Sequence, residues 1–90
     1  MERVVITVTG KDKTGIVAKI ANTLAENEVN ILDIRQSLMD DLFTMIMLVD
    51  ISKSEKEFIQ LEEELDKTGK DIGVKVIVQH EDIFKYMHRI

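Results

Sequence analysis

Ninety residues, a net charge of −5 and a hydrophobic share of 44% point to one small domain, residues 1–90, with an ordinary core. The acidic balance and the scarcity of aromatics (Phe43, Phe58, Phe84, Tyr86 and no Trp) exclude direct nucleic-acid binding, which needs Lys and Arg interleaved with stacking rings. The lack of Cys excludes a disulfide framework and a thiolate zinc site. No apolar run approaches the roughly 18 residues of a membrane helix.

Met1-Glu2-Arg3 leads straight into a strand, which leaves no room for a signal peptide, so a cytoplasmic location is expected. Alternation predicts the first strand over residues 3–9, with Val4, Ile6 and Val8 on one face and Val5, Thr7 and Thr9 on the other. Residues 10–14 are a turn. Thr14 is the expected N-cap of a helix that begins near Gly15 and runs to about Glu28. Val17, Ile20, Ala21 and Leu24 are its apolar stripe, with Lys19, Asn22, Thr23 and Glu26 expected to face outward.

A second strand spans residues 30–39. Leu32, Ile34 and Leu38 alternate with Asp33, Arg35 and Ser37, the pattern of a strand with one wet face. Asp40-Asp41 predicts a hairpin turn. The third strand, residues 42–51, is apolar on both sides: Phe43, Met45, Met47 and Val49 on one, Leu42, Ile46 and Leu48 on the other. That composition suits a central strand covered on both faces.

Ser54 followed by Glu57 fits a capping box. It opens a second helix to about Thr68, with Phe58, Leu61 and Leu65 inward and Gly69 as its expected stop. Val74, Val76 and Val78 alternate with Lys75, Ile77 and Gln79 in a fourth strand over residues 74–81. Ile83, Phe84, Met87 and Ile90 stand at helical spacing in the tail, residues 82–90. The order β-α-β-β-α-β predicts an α+β, ferredoxin-like sandwich. It has a four-stranded antiparallel sheet, two helices on one face and a short C-terminal helix. Val5, Ile77 and one set of third-strand residues fall on the helix-free face, where a partner or the C-terminal helix is expected.

The strand-to-helix turn Thr9-Gly10-Lys11-Asp12-Lys13-Thr14-Gly15-Ile16-Val17 is the candidate ligand site. Gly10 and Gly15 have P-loop spacing, but Ile16 and Val17 stand where Lys and Ser or Thr are required, so triphosphate chemistry has no machinery. Free N–H groups near Gly15, Ile16 and Val17 suit a carboxylate. Asp12 would repel a simple anion and welcome the ammonium of a zwitterion. Asn30, at the start of the second strand, offers an amide that donates and accepts. These residues describe a site for a free amino acid. The same residues also suit a turn in which Asp12, Thr14 and Asn30 only satisfy nearby backbone.

His80 and His88 with nearby carboxylates fix no metal geometry, and read as solvated or interface histidines. Met39, Met45, Met47 and Met87 read as packing, and Glu62-Glu63-Glu64 as a solvated helix face. No nucleophile, base and cleft come together as a catalytic set, so no enzyme activity and no cofactor is expected.

The run Val5-Ile6-Thr7-Val8-Thr9-Gly10-Lys11-Asp12-Lys13-Thr14-Gly15-Ile16-Val17, followed by Asn30-Ile31-Leu32-Asp33-Ile34, resembles the ACT domain, whose first strand ends in a G-x-D-x-x-G turn before two aliphatic residues. The likeness runs from about Arg3 to Glu81. The ending Gln79-His80-Glu81-Asp82-Ile83-Phe84 through Met87-His88-Arg89-Ile90 resembles small stand-alone ACT proteins, themselves similar to the repeats of the glycine cleavage system transcriptional repressor. The resemblance implies a regulatory module of ferredoxin-like fold that pairs as a homodimer. It would bind an amino acid between the first turn of one subunit and its neighbour, with Asp12, Thr14, Gly15, Ile16, Val17 and Asn30 lining the site. ACT domains usually regulate a fused domain, and the repressor-like relatives carry two ACT repeats, whereas this chain has one and no output domain. A separate regulated partner protein is therefore implied. The alternative is an interaction adaptor in transcriptional or metabolic control with no bound effector.

Overall fold

A computed structural model describes residues 1–87. The elements are β1 (Arg3–Lys11), α1 (Ile16–Glu26), β2 (Asn30–Met39), β3 (Leu42–Asp50), α2 (Phe58–Ile72), β4 (Lys75–His80) and α3 (Glu81–Met87). The four strands form one antiparallel sheet in the order β2-β3-β1-β4. With α1 and α2 against one face, this is the ferredoxin-like arrangement expected from the element order. The expected helical tail is observed as α3 up to Met87, and its last part, residues 88–90, lies outside the described residues. Among the described residues no helix is long and apolar enough to cross a membrane.

The core lies between the sheet and the two helices. Val4, Ile6 and Val8 of β1, Met45, Met47 and Val49 of β3, and Val76 and Val78 of β4 meet Ile16, Ile20 and Leu24 of α1 and Leu61 and Leu65 of α2. The strand alternation read from the sequence is the one observed there. Register places Ile77, Thr7, Ile46 and Arg35 in one row across the opposite face. On that face α3 packs against β1 and β4, and Val5 is buried. Leu42 and Ile46 remain exposed, so the second face of β3, expected to be covered, is left open within one chain.

Several boundaries differ from expectation for local reasons. The β1 ladder continues to Lys11, which pairs with Leu42. Gly15 rather than Thr14 is the N-cap of α1, and no side chain caps it. Helix α1 stops at Glu26, and Glu28 takes a positive φ of 57°. Thr23, expected outside, is buried because its hydroxyl lies 3.0 Å from that of Thr68 on α2. The capping box of α2 is Glu57 with Gln60, not Ser54 with Glu57. The helix passes through buried Gly69 and stops at Gly73, whose φ of 75° supplies the left-handed C-cap.

Strand β2 is the largest departure. Its two faces were expected to be one dry and one wet, yet all its residues but half-buried Ile34 are exposed. It is an edge strand, and a register irregularity between Ile31 and Asp33 inserts Leu32 into the pairing with β3. Leu38 is 58% and Met39 71% exposed. A long exposed apolar edge of this kind is a template for pairing with another chain.

Candidate functional site

The β1–α1 turn sits at the end of the sheet where β1 finishes. Its position is held by one long-range hydrogen bond: the Asp12 N–H donates to the Asp41 carbonyl at 2.7 Å. The tip of the β2–β3 hairpin thereby forms a second wall beside the turn. Asp41 was missed as a neighbour of the turn from the sequence. The signal was present in the strand lengths, since a two-residue hairpin after Met39 brings Leu42 opposite Lys11.

Gly15 holds φ 89°, with open space where a Cβ would stand. That left-handed residue swings the chain into α1, and its carbonyl accepts the first helical bond, from the Lys19 N–H at 3.0 Å. The N–H groups of Ile16, Val17 and Ala18 precede the first intrahelical acceptor, as at every helix start. No side chain caps them, and the first turn of α1 has no acidic residue. The start of α1 is thus a partly positive end without an internal counter-charge. Asp12, Thr14 and Gly15 are exposed beside it. Ile16 is 2% exposed and its side chain belongs to the core, so it presents only backbone. Val17 is half-buried and packs against the same core.

Asn30 is not brought to this turn within one chain. It pairs with Asp50, which pairs with Arg3, so it stands at the opposite end of the sheet. The separation is the length of β1, nine residues and roughly 27 Å. Five of the six sequence-predicted site residues share this one turn and helix start, and the sixth stands at the other end of the sheet.

The far end has its own polar structure. The His80 ring stacks on Phe58 with centroids 4.1 Å apart, and its Nε2 lies 3.0 Å from Glu2 Oε2. This histidine, expected to be solvated or at an interface, is therefore half-buried and packed; His88 lies outside the described residues. Asp50 accepts from the Ser52 N–H at 3.0 Å and the Glu2 N–H at 3.3 Å. The Ser52 backbone bond first, then the Ser52 hydroxyl, hold its carboxyl below the ordinary range, with burial opposing. Among the described residues, no group of three or more His, Asp or Glu side chains is placed to hold a metal ion.

The chain is thus a small ferredoxin-like domain whose first turn, bracketed by Gly10 and Gly15, leads into a helix start with no side-chain cap. The ACT domain profile matches residues 2–79, and the chain belongs to the ACT domain family, a family of regulatory, amino-acid-binding modules. It is 64% identical over 90 residues to a UPF0237 protein of Methanocaldococcus jannaschii, covering 100% of both chains. Its fold is similar to an ACT domain protein from Streptococcus pneumoniae, with a TM-score of 0.81, 39% identity and coverage of 93% of this chain and 94% of that one. It is also similar to a structure assigned as a glycine cleavage system transcriptional repressor, with a TM-score of 0.71 and 25% identity. There it covers 88% of this chain but 44% of the other.

Proposed function

We propose that this chain is a regulatory module that senses a free amino acid at a homodimer interface and acts on a separate partner protein. The observation that carries it is the start of α1: donors with neither a capping side chain nor a first-turn acid, with the exposed Asp12 beside them. A zwitterion satisfies both halves, its carboxylate on the N–H groups of Ile16 and Val17 and its ammonium on Asp12. Thr14 and Gly15 form the rim. A simple anion would meet Asp12 unfavourably.

Asn30 joins this site through a second chain. Asn30 and Met39 are the two ends of the exposed edge strand β2. A two-fold antiparallel pairing of β2 with its copy sets the Asn30 end of one chain against the hairpin end of the other. The Asp12 turn is bonded to that hairpin. The amide of Asn30 then closes the partner's turn.

A thermal-shift screen of the standard amino acids, read beside the size in solution, tests this. A ligand at 100 times its Kd stabilises by about 2.7 kcal/mol, a rise in Tm on the order of 10 °C for a domain of this size. Asp12→Ala removes the response and leaves the unliganded melt in place. No rise with any amino acid at millimolar concentration overturns the sensing role, and a monomer at all concentrations overturns the shared site.

A further inference from the structure

The sheet has a second open edge, and its chemistry differs from that of β2. Strand β4 pairs only with β1, so one row of its backbone N–H and C=O groups is free of sheet bonds among the described residues. Val76 and Val78 turn toward α2 and are buried, whereas Ile77, on the opposite face, is 41% exposed. Helix α2 overhangs this edge, and Glu62, Glu63 and Asp66 line one shallow groove with Val76, Ile77 and Val78. Asp66 is engaged by Lys70 at 3.1 Å. Glu62 and Glu63 have no hydrogen-bond or ion-pair partner among the described residues. Lys75, at the start of the strand, is the nearest cation on β4 itself.

We infer that the β4 edge is a docking site for an extended, basic segment of a partner protein, which adds to the sheet as a fifth strand. An open edge supplies main-chain hydrogen bonds, and its side-chain alternation sets specificity. Residues of an added strand that share the face of Val76 and Val78 lie under the acidic rim of α2 and are Lys or Arg. The residue between them lies beside Ile77 and is apolar. The recognised pattern is therefore basic-apolar-basic. A second copy of this chain is a poor occupant. Pairing β4 with its own copy brings two rows of Glu62 and Glu63 together, and the chain already carries a net charge of −5. This edge lies on the opposite side of the sheet from β2, so the inference stands whether or not an amino acid binds.

The test is an amide NMR titration of the full chain with a blocked heptapeptide of alternating Lys and Val. Shifts and slowed exchange are expected in β4 and on the Glu62–Glu63 side of α2, weakening as salt is raised. The double variant Glu62→Lys with Glu63→Lys, checked for an unchanged melt, loses at least about tenfold in affinity. Glu62→Gln with Glu63→Gln falls between. The inference is overturned if no shifts arise at millimolar peptide, if they map to β2, or if the charge-reversed variant binds as well as the parent. Equal binding of a Glu-Val peptide also overturns it, as does concentration-dependent self-association through β4 without peptide.

Discussion

Replacing Asn27 with Ala should be among the more damaging changes outside the apolar core. The side chain is 9% exposed and stands where α1 ends. Its amide donates to the Thr23 carbonyl at 2.8 Å and to Glu64 Oε2 at 3.0 Å. The first bond satisfies a last-turn carbonyl that the end of the helix leaves orphaned. The second ties α1 to α2 through a carboxylate that also contacts Lys56. A neutral hydrogen bond contributes about 0.5–1.5 kcal/mol and one to a charged group about 1.5–3. The Glu64 side chain is 30% exposed, so water replaces part of the lost bond and the lower ends apply. The expected loss is about 2 kcal/mol, a fall in Tm of roughly 8–16 °C for a domain of this size. Urea unfolding followed by circular dichroism at fixed protein concentration measures it. A double-mutant cycle with Glu64→Gln should return a coupling of about 1 kcal/mol. A loss below about 0.5 kcal/mol, or no coupling, would refute the view that this pair joins the two helices.

Acid should weaken the fold through Glu64. The Lys56 hydrogen bond first, then that from Asn27, hold its carboxyl below the ordinary glutamate range, with burial opposing. Because the folded value is the lower one, this stability is fully present above the unfolded value and disappears as pH falls through the folded one. Stability measured from pH 6 downward should therefore drop less steeply in Glu64→Gln than in the parent. Gly69→Ala should destabilise by about 1–2 kcal/mol although Ala is the better helix former. An added Cβ would meet Val76 Cγ2 at 2.6 Å and the Val74 carbonyl oxygen at 2.9 Å; a stabilised variant in urea unfolding would overturn that packing. Gly15→Ala should cost about 1 kcal/mol from its φ of 89° alone, since nothing stands within 4 Å of the new methyl. An unchanged urea midpoint would mean that the turn relaxes.

The strands were legible because alternation is a local signal and the sheet buries one side of it. Met45, Met47, Val76 and Val78 point where the pattern of two requires. Ends of helices were less legible. Ser54 with Glu57 and Glu57 with Gln60 both have capping-box spacing, and choosing between them depends on where Phe58 meets the core. Gly69 is the stop the sequence pattern suggests, yet the helix runs on to Gly73. The glycine at 69 answers instead to the close approach of Val74 and Val76, and that is a contact between elements. Thr23 is polar and sits beside the stripe of α1, so only the arrival of Thr68 on α2 makes it an inside residue. The turn was readable as a glycine-bracketed helix start, but Asn30 was not readable as distant from it. Strands β1 and β2 are both antiparallel to β3, hence parallel to each other. The start of β2 therefore lies at the same end of the sheet as the start of β1, across β3 from it, a consequence of topology that residue chemistry does not carry.

The extra residue in β2 acts as an index mark. Beyond Leu32, residues 33–39 run in step with β3, which leaves seven residues of regular edge for a symmetric partner. A two-fold axis centred on that stretch passes through Gln36. Asp33 of one chain would then stand across from Met39 of the other in the proposed dimer, and Leu32 could not slide into line without turning every following side chain over. In the proposed dimer the same notch would leave Asn30 overhanging the end of the paired region, at the level of the other chain's Asp40-Asp41 tip. One inserted residue would thus do for a dimer what a keyway does for a shaft: it sets the angle at which the two halves can lock.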